Sequence, residues 1–153
     1  MSIDTTFPGS AGLGSTDPWS TTVKSISILY TYGTNETRVF ASMVNRGVFN
    51  QTNAYFSTAT APGSGLIPSI SPPAGSNITI QALAYGPAQV TIASTFTNIY
   101  AVQAAKSSFP IENSYFGIDT IPGTVKSAVL FYTDAAKNQL ALVGREHVYL
   151  SFP

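Results

Sequence analysis

Cysteine is absent from the chain, which excludes disulfides, thiolate metal sites and a cysteine nucleophile together. Histidine occurs once, as His147, and tryptophan once, as Trp19. Charge is equally scarce. Charged residues make up 9 % of the chain, with seven basic side chains balancing seven acidic ones and no run of like sign. Such a chain has no electrostatic footprint for nucleic acid or anionic lipid, so neither is expected as a partner. No apolar run approaches about 18 residues, so no membrane insertion is expected. The N-terminus lacks a basic stretch followed by an apolar one, so no signal peptide is read there.

What is present is globular. A hydrophobic share of 44 % with 12 % aromatics exceeds what disordered chains carry, and 153 residues suit one domain with a real core. Polarity comes from Ser, Thr, Asn and Gln, a composition common on extracellular, glycan-facing β-proteins, which favours extracellular or cell-surface exposure. N-x-Ser/Thr sequons stand at Asn35, Asn50 and Asn77 and matter only in a eukaryotic secretory route.

The chain repeats itself. Residues 22–31 read TVKSISILYT and residues 124–133 read TVKSAVLFYT, with residues 76–85 (SNITIQALAY) a weaker relative between them. Gly12, Gly65 and Gly117 fall at near-equal intervals, marking units 12–64, 65–116 and 117–153 of up to about fifty residues. In the first unit, Ile26, Ile28, Tyr30 and Tyr32 share one face of a strand over 23–32. The turn Gly33-Thr34-Asn35 leads to a partner strand over 37–44, and short strands follow near Val48-Phe49 and from Tyr55.

The second unit predicts strands at 66–70, 77–85, 90–96 and 99–104, although YAVQAAKS (residues 100–107) equally suits two helical turns. The third predicts strands at 115–121, 125–132, 139–143 and 147–152, with residues 134–138 as a turn. A helix over 134–145 competes, since Asp134 is a fair N-cap. The alternation of Leu140 with Leu142 favours the hairpin. The fold class expected is therefore all-β, built of three four-stranded repeats in a single domain.

β-Trefoil, β-prism and propeller architectures all suit such units. Ala128, Leu130 and Tyr132 occupy one face of their strand while Val129 and Phe131 occupy the other, and strands apolar on both faces need cover on both sides. This favours propeller-type blades. Residues 130–143 (LFYTDAAKNQLALV), and more loosely residues 27–41 (SILYTYGTNETRVFA), resemble the blade hairpin of fungal fucose-specific lectins. The resemblance implies a six-bladed propeller binding fucosylated glycans between blades. Ser27 and Ala128 stand where that family carries Arg, a departure at the sugar-holding positions. Three blades cannot close a ring, so a propeller also requires a homo-oligomer.

Catalytic signatures are missing. His147 lies in the terminal strand and no G-x-S-x-G accompanies it. No His/Asp/Glu cluster has metal-ligand spacing, so neither metal nor cofactor is expected. Sugar binding asks for an aromatic face and hydrogen-bonding side chains. The candidates are Trp19, Tyr32, Arg38, Tyr85, Arg145 and Glu146, beside Tyr30 and Tyr132, whose place in the repeated strand favours packing. The function expected is non-catalytic carbohydrate binding, with a structural or adhesive self-associating β-domain (coat, fibre or scaffold module) as the alternative.

Overall fold

The computed structural model describes residues 23–32, 36–45, 48–49, 55–56 and 71–153, with residues 31, 32, 36, 37, 44, 45, 48, 49, 55 and 56 described by backbone alone. The chain is mostly β, in small antiparallel sheets. β1 (Ser25–Tyr32) and β2 (Glu36–Asn45) form a hairpin running from Tyr32 opposite Glu36 to Ser25 opposite Met43. The short β3 (Val48–Phe49) and β4 (Tyr55–Phe56) both pair with β2. A second sheet runs in the order β6 (Ala88–Gln89), β5 (Ile78–Tyr85), β8 (Ser127–Asp134) and β9 (Gln139–Arg145). β7 (Ser108–Pro110) and β10 (Tyr149–Ser151) form a two-stranded ribbon.

The expected strands at 23–32, 37–44, 77–85, 125–132 and 139–143 are found, and residues 134–138 turn rather than form a helix. The strands expected at 90–96 and 99–104 do not form. After the two-residue β6 the chain enters α1, Ala93–Ala104, whose Thr95, Phe96, Ile99 and Tyr100 make one buried stripe at helical spacing. Alternation holds only as far as Ile92, and the alanines beyond Tyr100 are strong helix formers. The strand expected at 115–121 is replaced by α2, Asn113–Phe116, which Gly117 ends in the left-handed conformation at φ 71°. The strand expected at 66–70 lies outside the described residues. The sheets also cut across the expected units, because β5 of the second pairs along its length with β8 of the third. No closed sheet is found among the described residues. No described helix is long and apolar enough to cross a membrane.

The need of β8 for cover on both faces is met. Ala128, Leu130 and Tyr132 pack with Phe96, Ile99 and Tyr100 of α1, with Phe109 and Ile111, and with Phe116 of α2. On the opposite face Phe131 packs with Val39 and Ala41 of β2 and with Ala82 and Ala84 of β5. β5 serves both layers through an irregularity. Its register against β8 shifts between Ile80 and Ala82, leaving Gln81 without a partner. An unbroken strand places residues 78, 80, 82 and 84 on one face. The extra residue reverses the phase, so Ile78 and Ile80 are joined in one core by Leu83 and Tyr85. The Ile80 N–H at this point donates to the Tyr100 hydroxyl at 3.0 Å, docking α1 where the ladder is interrupted.

Deleting Gln81 is therefore expected to preserve cooperative unfolding by circular dichroism, since a strand without the extra residue keeps Ile78, Ile80, Leu83 and Tyr85 on one face by unbroken alternation. Gln81→Ala, which removes a buried Oε1 that has no hydrogen-bond partner, is expected to change stability by no more than about 1 kcal/mol.

Candidate functional site

Two of the sequence-derived candidates meet. The phase reversal in β5 aims Tyr85 toward the end of β9, where its hydroxyl donates to Glu146 Oε1 at 2.6 Å. The same hydroxyl lies 2.8 Å from the Asn113 side-chain amide. One proton cannot serve both, and the carboxylate takes it. Lys126 and Glu146 continue the β8–β9 ladder by one step. The Glu146 N–H donates to the Lys126 carbonyl at 2.7 Å, and the Lys126 N–H returns to Glu146 Oε2 at 3.0 Å.

The Lys126 side chain is 1 % exposed. Its ammonium lies 3.4 Å from Glu146, 3.0 Å from Asp119 and 2.9 Å from the Thr124 carbonyl. It also sits 5.2 Å from the Tyr85 ring centre. Gly86, at φ +59°, completes the packing, since a Cβ there would meet Met43, Thr120 and Lys126.

Burial pushes the Tyr85 hydroxyl well above its ordinary value, and the Glu146 carboxylate beside it adds to the shift. Burial also pushes Glu146 upward, but the hydrogen bonds from Tyr85 and from the Lys126 backbone outweigh it, together with the Lys126 charge. The carboxyl is held below its usual range. Every charge in the cluster thus has a partner inside it. The cluster is a buried fastening between β5, β8, β9 and α2, with Asp119 as its half-exposed end. Lys126 and Asp119 were not singled out in the sequence, although Lys126 is the lysine of the repeated TVKS stretch.

The remaining candidates do not join them. Arg145 is exposed at the end of β9, opposite Ser127. Arg38 is partly buried on β2, opposite Tyr30. Tyr32 closes β1, and its side chain lies outside the described residues, as does Trp19.

An open cleft of about 790 Å³ lies elsewhere, between the β8–β9 turn, the C-terminal end of α1 and the residues after β10. Its apolar lining comes from Ile78, Tyr132, Leu140 and Phe152, and its polar lining from Asn77, Gln103, Lys106 and Asp134. Tyr132 and Phe152 meet edge to face, with ring centres 5.3 Å apart. Asp134 is fixed within its turn, accepting from the Asn138 backbone at 2.9 Å and from its side-chain amide at 2.8 Å. The hydrogen bonds from Asn138 hold its carboxyl below the usual range, so it is ionised near neutral pH. Asn77, which heads the third sequon, borders the same cleft. No His, Cys, Asp and Glu grouping among the described residues suits a metal ion. Comparison with protein-family models, curated proteins and solved structures finds no match.

Lys126→Met is expected to cost about 3–5 kcal/mol in urea denaturation, because Glu146 is left charged and buried, and adding Glu146→Gln is expected to recover most of the loss. The pH dependence follows from the two shifts. Glu146, depressed in the fold, contributes stability above its unfolded value near about 4.3 and loses it as pH falls through the folded value. Tyr85, raised in the fold, contributes below about 10 and loses its share as pH rises beyond that. Stability is expected to be level between roughly pH 5 and 9 and to fall on either side. Tyr85→Phe is expected to soften the alkaline fall.

Proposed function

We propose that the protein binds carbohydrate without turning it over, at the cleft beside the β8–β9 turn. The observation that carries this is the make-up of the lining. Phe152, packed edge to face on the almost wholly buried Tyr132, offers apolar ring surface of the kind that meets the apolar face of a sugar. Around them, Asn77, Gln103 and Asp134 supply the amide and carboxylate groups that hydroxyls pair with. The volume is suited to a small oligosaccharide. Among the described residues Asp134 is the one carboxylate side chain on the lining, whereas glycoside hydrolysis in its usual form needs two; this supports binding over catalysis. The hairpin that resembles the blade hairpin of fungal fucose-specific lectins, residues 130–143, is β8–β9, and its turn builds one wall of the cleft. Fucosylated glycans therefore belong among the first ligands to test.

A glycan array with the purified protein is the direct experiment. Selective binding that free monosaccharide competes away is expected, weakened roughly tenfold by Gln103→Ala or Asp134→Asn, each of which removes one hydrogen-bonding group. A blank array from cooperatively folded protein overturns the proposal.

The structural, self-associating alternative is favoured by a different observation. β9 ends its sheet among the described residues, carries no charged side chain from Gln139 to Gly144, and exposes 64 % of Val143. Such an edge is a template for pairing with a second copy, and pairing of this kind also answers the oligomer that propeller-type blades demand. Light scattering is expected to report a dimer that Val143→Lys converts to monomer; a monomeric parent protein sinks this alternative.

A further inference from the structure

Where the chain adopts the left-handed conformation without glycine, it does so at Lys106 (φ 50°), Lys137 (φ 67°) and His147 (φ 74°) among the described residues. Two of these are lysines beside the cleft. α1 ends in a Schellman arrangement, in which the Lys106 N–H donates to the Gln103 carbonyl at 3.1 Å and the Ser107 N–H to the Val102 carbonyl at 3.0 Å. The residue at the position of Lys106 is most cheaply glycine, since a Cβ there crowds the following carbonyl oxygen. Lys137 occupies the corresponding left-handed position of the β8–β9 turn, directly after the cleft-lining Ala135 and Ala136, where Gly or Asn is the usual choice. Both turns thus place a lysine at a left-handed position.

The charges at the cleft are unevenly committed. Asp134 is already engaged by Asn138 on both of its oxygens. Lys106 borders the cleft, and its ammonium has no hydrogen bond or ion pair among the described residues. Helix-end electrostatics favour a cation near the last turn of α1, which has none of its own. That preference does not require the cation at the strained position, because a lysine within the last turn serves it equally.

We infer that the saccharide taken by this cleft is an anionic one, a carboxylate-bearing sugar whose charge meets the Lys106 ammonium at the end of α1, with Lys137 adding positive charge at the neighbouring turn. This rests on the carbohydrate-binding proposal above and narrows its ligand class. The carboxylate replaces water around an otherwise uncommitted cation, a charge-assisted contact stronger than a neutral one. The ligand's hydroxyls are left for Asn77, Gln103 and Asp134.

The test is an array that displays neutral oligosaccharides beside their uronate- and sialate-containing counterparts, read for the parent protein, Lys106→Gln and Lys106→Gly. The acidic members are expected to bind roughly five- to tenfold more tightly than their neutral counterparts. That advantage is expected to shrink as salt is raised from low to physiological strength, and to fall to no more than about twofold in both variants, where only the Lys137 charge remains. Lys106→Gly is expected at the same time to raise the melting temperature, because it relieves the left-handed strain; a lysine that serves only the helix end would leave glycan binding unmoved. Binding confined to neutral glycans, or an acidic preference that stays above about twofold in Lys106→Gln, overturns this inference while the carbohydrate proposal stands. A blank array overturns both.

Discussion

In β5 the ladder to β8 slips between Ile80 and Ala82, and one backbone donor at that slip is taken up from across the core. The Ile80 N–H goes to the Tyr100 hydroxyl, so the interruption is also the point at which α1 docks. A buried backbone donor left without a partner costs about 1–3 kcal/mol, and the helix supplies what the neighbouring strand does not. The phase reversal then sends Leu83 and Tyr85 into the same core as Ile78 and Ile80. Ala82 and Ala84 are left to meet β2, where their small side chains let the β1–β2 hairpin come close.

The polar fastening depends on that reversal in turn. Tyr85 reaches Glu146 only because its side chain leaves β5 on the α2 side of the sheet. Once there, its hydroxyl and the Lys126 ammonium keep a carboxylate ionised in a place that burial alone makes unfavourable. A pair buried this deeply is poor evidence of extra stability, since apolar residues of similar volume often do as well. What it does supply is geometry. It ties the start of β8 to the end of β9 and to the segment carrying α2, so the β8–β9 hairpin leaves the core in one direction. Its turn, with Asp134 at the head, stands beside the end of α1 as a consequence. The cleft between them thus lies at the far end of a hairpin anchored by the buried cluster, and the two polar sites divide their roles: one holds the frame, the other faces solvent.

Much of the β framework was legible because it is written in local alternation. The hairpins at β1–β2 and β8–β9 were recoverable from two-residue periodicity and turn residues alone, as was the need of β8 for cover on both faces. The segment over 90–99 reads as strand because its β-branched residues imitate one, whereas residues 100–107 suit helical turns on sequence alone. Only the buried stripe of Thr95, Phe96, Ile99 and Tyr100, which needs a sheet to pack on, makes it a helix. The slip at Gln81 left a trace in the sequence, apolar residues at 78 and 80 and then at 83 and 85, yet alternation read as continuous conceals it.

Of the candidate residues, Tyr85 and Glu146 each read in the sequence as a sugar-binding side chain, and the fold buries them against each other. Spacing along the chain carries no information on which side chains of different strands converge. That is decided by register, and register here turns on a single extra residue. The cleft is a tertiary product for the same reason, since Gln103, Lys106, Tyr132, Asp134 and Phe152 come from a helix end, a hairpin and the chain's last residues, and no local pattern joins them. Composition and periodicity by themselves determined a cysteine-free, charge-poor, mostly β chain with two related hairpins. Which faces meet, which polar groups are buried and where a ligand can enter were decided by packing, because those depend on long-range pairings that no short stretch of sequence encodes.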